Sequence, residues 1–193
     1  LSEVTQGEAI VVTGVGQHQM WAAQHYRFKE PNTWITSGGL GAMGFEVPAA
    51  LGAKVGRPDK TVWSIAGDGG FQMTMCDLAT AVENNIEVKF AILNNGTLGM
   101  VRQWQDFFYN KDFFATIYSG NPDFVKIAEA YGIAGIRVTD KAQVAGAIQQ
   151  AMDIPGPVVV DFIVKQDEHV YPMIPAGESV HEMMEEPITE RIF

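Results

Sequence analysis

Cysteine is nearly absent from this sequence, and so are long hydrophobic runs and clusters of basic residues. The single cysteine, Cys76, excludes an internal disulfide and a cysteine-based metal site, so a reducing compartment fits best. We expect its side chain to be small, hydrophobic and buried. Only 13 residues are Lys or Arg against 23 Asp or Glu, which leaves a net charge of −10 and excludes the basic surface of a nucleic-acid-binding protein. No hydrophobic run reaches the length of a membrane span, and so acidic a chain is unsuited to an anionic membrane surface.

The residues that are present have the composition of a folded domain. Hydrophobic residues make up 47% of the 193 and charged residues 19%, which is enough for one core and excludes intrinsic disorder. The sequence opens on Leu1 rather than methionine and ends on an acidic, methionine-rich segment, which indicates a piece of a larger protein. We predict one domain over residues 1–165, followed by a tail over 166–193 that wraps its surface or a neighbouring chain.

Buried apolar runs alternate with helical periodicities along the chain. The runs predict strands at residues 9–13, 61–66, 88–93, 136–138 and 157–164. The periodicities predict helices at residues 17–26, from near Pro48 to Gly56, at 73–82, after Asn121-Pro122-Asp123, and after Asp140. This alternation is typical of a parallel sheet with crossover helices, so the predicted fold is a doubly wound α/β domain with helices on both faces.

Two polar motifs follow two consecutive predicted strands. Gly67-Asp68-Gly69-Gly70 ends one strand and Asn94-Asn95 ends the next, with Asn95 lying 27 residues after Asp68. One right-handed crossover fills that distance, and it tends to bring both side chains to the carboxyl edge of the sheet, where ligands bind. A carboxylate and an amide oxygen suit Mg²⁺ that is shared with phosphate groups. Either motif alone is more often an ordinary turn, but the two together predict a magnesium and phosphate site.

Longer blocks of the sequence resemble one family. Gly67-Asp68-Gly69 followed by Asn94-Asn95 resembles the thiamine-diphosphate motif shared by thiamine-dependent decarboxylases, ligases and oxidases. Four further blocks resemble the catalytic subunits of the acetohydroxyacid synthase (acetolactate synthase) family: residues 14–25, 36–44, 99–105 and 171–177. The resemblance covers essentially the whole chain. It implies the last of three domains, which is the domain that holds the diphosphate of the cofactor.

The resemblance implies a role for each matching residue. Asp68 and Asn95 would bind Mg²⁺ through their side chains, and Thr97 would bind it through its backbone carbonyl. Gly41 and Met43 would hold the aminopyrimidine ring, and Met43 would also support the cofactor in its bent form. The other residues implied to contact the cofactor are Val15, Gly16, Gln17, His18, Gly67, Gly69, Gly70 and Met100.

The same resemblance implies how the chain takes part in catalysis. Met100 and Trp104 match residues that face the reacting carbon, so they are the implied substrate contacts. The family's catalytic glutamate lies in the first domain of a partner subunit, so we expect no catalytic residue here and no activity from these 193 residues alone. Glu46 is a tempting local substitute, but it stands where the family usually has glycine, and we expect it on the surface or at a helix start.

The resemblance also implies the reaction of a larger protein. That protein would decarboxylate pyruvate and pass the two-carbon unit to a second pyruvate or to 2-ketobutyrate, in branched-chain amino-acid biosynthesis. It would also bind FAD through an absent middle domain. It would form a homodimer or homotetramer, with a regulatory subunit as a further possible partner. We expect it in the cytoplasm of a bacterium, or in a plastid or mitochondrion of a eukaryote.

Three alternatives remain. Residues 39–44 match the G-x-G-x-x-G of dinucleotide-binding dehydrogenases, and Asp59 follows 20 residues after the first glycine. However, Asp59 precedes a predicted strand, whereas the ribose-binding acid belongs at the end of one. A thiamine fold used only for binding or regulation would have no reason to keep both Asp68 and Asn95. Another thiamine enzyme, such as a glyoxylate carboligase or a pyruvate oxidase, stays open, although the block from Met100 to Trp104 favours the synthase.

Overall fold

Six parallel strands form one sheet at the centre of the molecule. The structure is a computed structural model, and it describes residues 1–185. In chain order the strands are β1 (Ile10–Thr13), β2 (Trp34–Thr36), β3 (Val62–Gly67), β4 (Lys89–Asn94), β5 (Ala134–Val138) and β6 (Val158–Ile163). Their order across the sheet is β2-β1-β3-β4-β6-β5, and neighbouring strands all run parallel. The prediction of a parallel α/β sheet is confirmed.

Helices cover both faces of this sheet. They are α1 (Gln17–His25), α2 (Glu46–Gly56), α3 (Asp68–Thr74), α4 (Leu78–Glu83), α5 (Gly99–Phe108), α6 (Phe124–Ala130) and α7 (Val144–Asp153). Helices α2, α3, α4 and α6 contribute to the core on one face, whereas α1 and α7 contribute on the other. The fold is therefore doubly wound, as the sequence predicts.

The core lies between the helices and the sheet, because successive side chains of a strand point to opposite faces. On one face, Phe90 from β4 meets Phe71 from α3, and Phe71 also meets Phe124 from α6. On the other face, Trp63 from β3 is completely buried in the cluster to which α7 contributes. Strands buried on both faces appear in the sequence as continuous apolar runs, which is why these strands are predictable to within one or two residues.

The direction in which strands are added changes after β1. The strand β2 is added on one side of β1 and β3 on the other, so the segments that follow β1 and β3 diverge. In open parallel sheets this arrangement leaves a crevice at the carboxyl ends of the strands, where ligands bind. In addition, β3 pairs directly with β4, and Gly67 lies opposite Leu93. The motifs at Asp68 and Asn95 therefore follow adjacent strands, as predicted.

The helix after β3 begins five residues earlier than predicted. The sequence predicts a loop at Gly69 and Gly70 and a helix from residue 73, but α3 starts at Asp68, directly after β3. The two glycines are helical, and neighbouring groups leave no space for a side chain on either. A Cβ atom on Gly69 would lie 2.2 Å from Tyr118 Oη, and one on Gly70 would lie 2.8 Å from Glu46 Oε1. These glycines therefore allow close packing rather than a turn.

The predicted helix over residues 73–82 is also interrupted, and the prediction for Cys76 is wrong. A 3₁₀ turn at Met75–Asp77 separates α3 from α4 and leaves Cys76 exposed. A 3₁₀ turn has three residues per turn rather than 3.6, so it changes which side chains point into the core between Phe71 and Leu78. Both of those side chains are completely buried, while the cysteine between them faces outward.

Three further helices differ from the prediction at their ends or in their existence. The N-cap of α6 is Asp123, whose carboxylate accepts a hydrogen bond from the amide of Lys126, rather than Asn121, the first residue of the motif that predicts this helix. Asp140 is a cap, as predicted, but a 3₁₀ turn at Lys141–Gln143 precedes α7. The helix α5 was not predicted at all, because its residues were interpreted only through the family resemblance.

The residues after β6 pack back onto the domain. Val170 is completely buried, and Met173 and Met184 pair through backbone hydrogen bonds in both directions. The tail therefore covers the surface over the part that the structure describes, while residues 186–193 lie outside it. The division into a domain at 1–165 and a tail at 166–193 stays a prediction. Over residues 1–185, no helix is both long enough and apolar enough to cross a membrane.

Candidate functional site

A cavity of about 250 Å³ opens at the carboxyl edge of the sheet, between the segments that follow β1, β3 and β4. This is the crevice that the strand order creates. The cavity brings together every residue predicted to hold the cofactor or the metal except Gly41. Those residues are Val15, Gly16, Gln17, His18, Met43, Gly67, Asp68, Gly69, Gly70, Asn95, Thr97 and Met100.

His18 supplies a buried nitrogen that lacks a partner. Its ring packs against the backbone of Gly16 and Gly67, and a Cβ atom on Gly67 would lie 2.9 Å from the ring. The Nε2 atom is buried and has no hydrogen-bond partner within the described residues. Burial lowers the pKa of His18 to about 4, so the imidazole is neutral at pH 7. A neutral ring can donate one N–H bond, which suits a phosphate oxygen in the cavity.

Asp68 is the first residue of α3 and is almost completely buried. Its Oδ1 accepts a hydrogen bond from the amide of Gly69 at 2.9 Å, and its Oδ2 accepts one from the amide of Gly96 at 2.8 Å. Burial raises the pKa of Asp68, although the hydrogen bonds that its carboxylate accepts oppose this shift. Each carboxylate oxygen has two lone pairs, so Oδ1 keeps one that can bind a cation.

Asn95 and Thr97 line the same cavity as this carboxylate, on the segment after β4. The Asn95 side chain donates to Gln17 Oε1 at 3.2 Å, which orients its Oδ1 atom toward the amide of Thr97, also at 3.2 Å. The Thr97 hydroxyl donates to the carbonyl of Thr116 at 2.6 Å. The resemblance implies that Thr97 offers its backbone carbonyl to a cation, and this role stays a prediction.

This set of groups fits Mg²⁺ held together with phosphate. The available ligands are a carboxylate oxygen, an amide oxygen and a backbone carbonyl, which are the hard oxygen ligands that Mg²⁺ prefers. Within residues 1–185, no three His, Cys, Asp or Glu side chains cluster as a metal site. A cation bound between Asp68 and Asn95 would therefore need phosphate oxygens or water to complete its coordination.

The predicted ring and substrate contacts occupy different places. Met43 lines the cavity. Gly41 lies exposed beside it, where a Cβ atom would be 3.8 Å from Val15. Met100 lines this cavity and also a second, more open one, which Trp104 lines as well. Trp104 is therefore one helical turn away from the first cavity, with its ring edge-to-face against Phe108 at a centroid distance of 5.4 Å.

Comparison with known proteins shows the family to which this chain belongs. Residues 14–162 match the family described as thiamine pyrophosphate enzyme, C-terminal TPP binding domain. The chain belongs to the thiamine pyrophosphate enzyme family. It is 50% identical, over 96% of its length, to acetolactate synthase 2, chloroplastic, of Nicotiana tabacum, and 53% identical, over 93%, to the acetolactate synthase large subunit of Corynebacterium glutamicum. It is also 50% identical, over 95% of its length, to an acetolactate synthase of Mycobacterium leprae.

The chain spans less than a third of the length of these relatives, since the matched part is 29% of the tobacco and Corynebacterium proteins and 30% of the Mycobacterium protein. Thiamine pyrophosphate is another name for thiamine diphosphate, so the resemblance to thiamine-dependent enzymes is confirmed.

Asp59, the residue on which the dinucleotide-binding alternative depends, lies between α2 and β3, at the amino end of a strand, where it pairs with Arg57. This position does not suit a ribose-binding acid.

Glu46 differs from its prediction in a way that bears on the site. It does begin α2, but it is completely buried rather than on the surface. Burial raises the pKa of its carboxyl group to about 7. The sequence could not indicate this burial, because the groups that surround the carboxyl are Gly14 and Gly70, which are distant in sequence.

Asn121 is bonded to Asp68, although nothing in the sequence marks it as a candidate site residue. Its Nδ2 atom donates to Asp68 Oδ2 at 2.7 Å and to Asn94 Oδ1 at 2.9 Å, while its Oδ1 accepts from Gln72 at 3.3 Å. The amide thus links the carboxylate of α3 to the end of β4. The sequence offered no signal for this role, because Asn121 precedes a helix and resembles an ordinary cap.

If Asp68 binds Mg²⁺, Asn121→Ala is expected to weaken that binding about 10- to 100-fold, because Asn121 donates a hydrogen bond to the Asp68 carboxylate and this is the usual cost of losing a group that orients a metal ligand. The measurement is a titration of Mg²⁺ in the presence of saturating thiamine diphosphate. Asn84→Ala is the control, because Asn84 is exposed and its side chain bonds only the carbonyl of Thr80. Equal Mg²⁺ affinities for the two variants would show that Asn121 does not support the site.

Proposed function

We propose that this chain is the thiamine-diphosphate- and Mg²⁺-binding domain of an acetolactate synthase. The complete enzyme decarboxylates pyruvate and condenses the two-carbon unit with a second pyruvate or with 2-ketobutyrate, in branched-chain amino-acid biosynthesis. The observation that carries the proposal is the convergence of His18, Asp68 and Asn95 on one cavity, in a chain half identical to acetolactate synthases over nearly its whole length.

The residues of this chain hold the diphosphate of the cofactor and its metal ion. Asp68 and Asn95 bind Mg²⁺ through their side chains and Thr97 binds it through its carbonyl. The neutral ring of His18 donates to a phosphate oxygen, since its Nε2 is buried without any other partner in the described chain. The remaining diphosphate contacts come from the backbone of Val15, Gly16 and Gln17 after β1, and from Gly67, Gly69 and Gly70 around the start of α3.

A hydrogen-bond network keeps the diphosphate segment in place. Gln17 Nε2 donates to Gln103 Oε1 at 2.9 Å and to the carbonyl of Glu168 at 2.9 Å. The side chain of Gln103 is completely buried and also accepts a hydrogen bond from the amide of Val170 at 2.9 Å. The network joins the segment after β1, helix α5 and the tail, so the tail helps to position the cofactor.

The bound thiamine diphosphate supplies the carbon nucleophile for decarboxylation and carbon–carbon bond formation. Gly41 and Met43 hold its aminopyrimidine ring. Met100 and Trp104 provide the apolar wall on the side of the 2-ketoacid substrates. Pyruvate and 2-ketobutyrate differ by one methylene, and an apolar contact can exploit that difference by about 1–3 kcal/mol, roughly 10- to 200-fold. The rigid indole of Trp104 offers such a contact.

Other features of the complete enzyme lie outside this chain. In the complete enzyme, other domains carry the catalytic glutamate and bind FAD. The enzyme forms a homodimer or homotetramer, to which a regulatory subunit can bind. The enzyme would work in the cytoplasm of a bacterium, or in a plastid or mitochondrion of a eukaryote. The tobacco relative bears the word chloroplastic in its name.

A substrate assay on the complete enzyme tests the proposal. We expect acetolactate from pyruvate, and 2-aceto-2-hydroxybutyrate when 2-ketobutyrate competes with it. Trp104→Leu is expected to keep pyruvate decarboxylation but to lose most of the preference for 2-ketobutyrate. A complete enzyme that instead condenses glyoxylate, or that oxidises pyruvate to an acetyl product, would replace the proposal with a carboligase or an oxidase. An unchanged product ratio in active Trp104→Leu would remove only the role of Trp104.

A further inference from the structure

Glu46 combines complete burial with a carboxyl group that no other side chain pairs with. The residue is 0% exposed, no side chain within residues 1–185 bonds to Oε1 or Oε2, and only the backbone amides of Glu46 and Gly44 favour its ionised form. Burying a polar group without a partner costs free energy, and burying a carboxylate costs more. The role of Glu46 must therefore come from where its carboxyl group lies.

The carboxyl group fills the space between two glycines of the cofactor site. A Cβ atom on Gly14 would lie 2.3 Å from Glu46 Oε2, and one on Gly70 would lie 2.8 Å from Glu46 Oε1. Gly14 directly precedes the segment 15–18 that lines the cavity, and Gly70 lies in the first turn of α3 and lines it too. The carboxyl group thus packs behind the two backbone segments that face the diphosphate, and it does not line the cavity itself.

A second contact, a hydrogen bond, joins the segment just before α2 to the end of α3. The hydroxyl of Thr74, at the end of α3, donates to the carbonyl of Gly44 at 2.7 Å. A Cβ atom on Gly44 would lie 3.0 Å from the Cβ of Met73, so the two backbones are in close contact. Because Glu46 is two residues after Gly44, its side chain spans from this contact to the turn at Gly14.

We propose that Glu46 is a positioning residue for the diphosphate of the cofactor: its carboxyl group holds the turn after β1 at a fixed separation from the first turn of α3. The backbone groups of residues 15–18 and of Gly69 and Gly70 then face the same ligand. This inference rests on the assignment of the diphosphate to this cavity under the proposed function. Glu46 touches no reacting atom, so it acts through these two segments.

The protonation state of Glu46 should make the affinity for the cofactor depend on pH. Burial raises its pKa to about 7, so the carboxyl group is neutral at pH 6 and ionised at pH 8.5. The helix α2 packs against α3, the 3₁₀ turn at Met75–Asp77, β1 and β3. The titratable side chains on these elements are Asp68 on α3 and Cys76 and Asp77 on the 3₁₀ turn, whereas β1 and β3 carry none. Beyond Gly14, α1 carries His18. An ionised Glu46 would repel the anionic diphosphate, so cofactor affinity should fall as the pH rises through 7.

Calorimetric titration of the complete enzyme with thiamine diphosphate, at saturating Mg²⁺, tests the inference. Glu46→Gly is expected to raise the Kd for the cofactor about tenfold, since it leaves a cavity between the two segments. Glu46→Gln preserves the shape and is expected to bind within about threefold of the parent at pH 6.0. Between pH 6.0 and 8.5 the affinity of the parent should fall about tenfold, whereas the affinity of Glu46→Gln should change by less than about threefold. The other titratable groups are unchanged in this variant, so the difference belongs to Glu46.

Two comparisons make the outcome decisive. Glu83→Gln is the matched control, because Glu83 is exposed at the end of α4, and it should keep the pH dependence of the parent. A folded Glu46→Gly with the parent's Kd, or a Glu46→Gln that retains the parent's pH dependence, would overturn the inference. If Glu46→Gly fails to fold, Glu46→Ala, which also removes the carboxyl group, is measured in its place, and the same rise in Kd of about tenfold is expected. Asp68→Asn, measured in parallel, should lose cofactor binding if the site is correctly assigned, so its unchanged affinity would reject the proposed site rather than the role of Glu46 alone.

Discussion

Replacing Asp68 by alanine is expected to abolish Mg²⁺-dependent binding of thiamine diphosphate, with a loss in affinity of more than about 100-fold. In the proposed site the carboxylate would contribute the negative charge that faces the cation. Its Oδ2 also accepts hydrogen bonds from the amide of Gly96 and from Asn121, which alanine would leave buried without a partner. Calorimetric titration of the complete enzyme with thiamine diphosphate and Mg²⁺ measures the effect.

Asp68→Asn separates the charge of Asp68 from its structural contacts. The amide oxygen can take the place of Oδ2 and accept the bonds from Gly96 and Asn121, but the NH₂ group cannot accept the bond from the amide of Gly69. This variant should therefore lose one hydrogen bond and the negative charge, and it should fold without binding the cation. Asp77→Ala is the control for the loss of an acidic residue nearby, because Asp77 follows α3 and is only partly buried. A folded Asp68→Asn with unchanged cofactor affinity would show that the metal lies elsewhere.

Phe71→Ala is expected to lower the free energy of unfolding by about 3–5 kcal/mol, which is the usual range for a fully buried phenylalanine. Phe71 is 0% exposed and packs edge-to-face against two aromatic rings, Phe124 at 5.7 Å and Phe90 at 6.2 Å between centroids. Alanine leaves a cavity where α3, α6 and β4 meet. Urea-induced unfolding followed by tryptophan fluorescence measures the change.

The control for this variant is Phe114→Ala. The side chain of Phe114 is 80% exposed, so its removal should change the free energy of unfolding by no more than about 0.5 kcal/mol. A loss of less than about 1 kcal/mol for Phe71→Ala would mean that α3 does not depend on this aromatic contact. A loss of about 3–5 kcal/mol for Phe71→Ala would also loosen the first turn of α3, because Asp68 lies only three residues before Phe71.

The parts of the fold that depend on local patterns are those that the sequence predicts well. The runs that become β3 and β6 are apolar on both faces, and the stripe of α7 buries Ala147, Ile148 and Ala151 as its periodicity indicates. The neighbouring positions of Asp68 and Asn95 follow from a single crossover. Their roles as cofactor and metal residues came from the resemblance to a family rather than from spacing alone.

The parts that the sequence could not supply depend on contacts between distant segments. Gly69 and Gly70 indicate a loop by composition, but Tyr118 and Glu46 occupy the space beside them and the backbone is helical. Asn121 lies 53 positions from Asp68 in sequence and meets it only in the folded chain. The helix α5 mixes charged and aromatic residues with a buried glutamine, Gln103, whose partners include the backbone of the tail.

The position of β6 in the sheet determines when the domain can be completed on the ribosome. This strand is the last of the described strands to be synthesised, yet it lies between β4 and β5, with Val158 opposite both Lys89 and Ala134. Until it emerges, β4 has an open edge and β5 has no neighbouring strand, and long-range parallel pairings of this kind form slowly. Open edges are sites where another chain can add. A nascent chain that stops before Val158 therefore exposes one edge of β4 and both edges of β5, and protection from aggregation comes only when nearly the whole domain has been made.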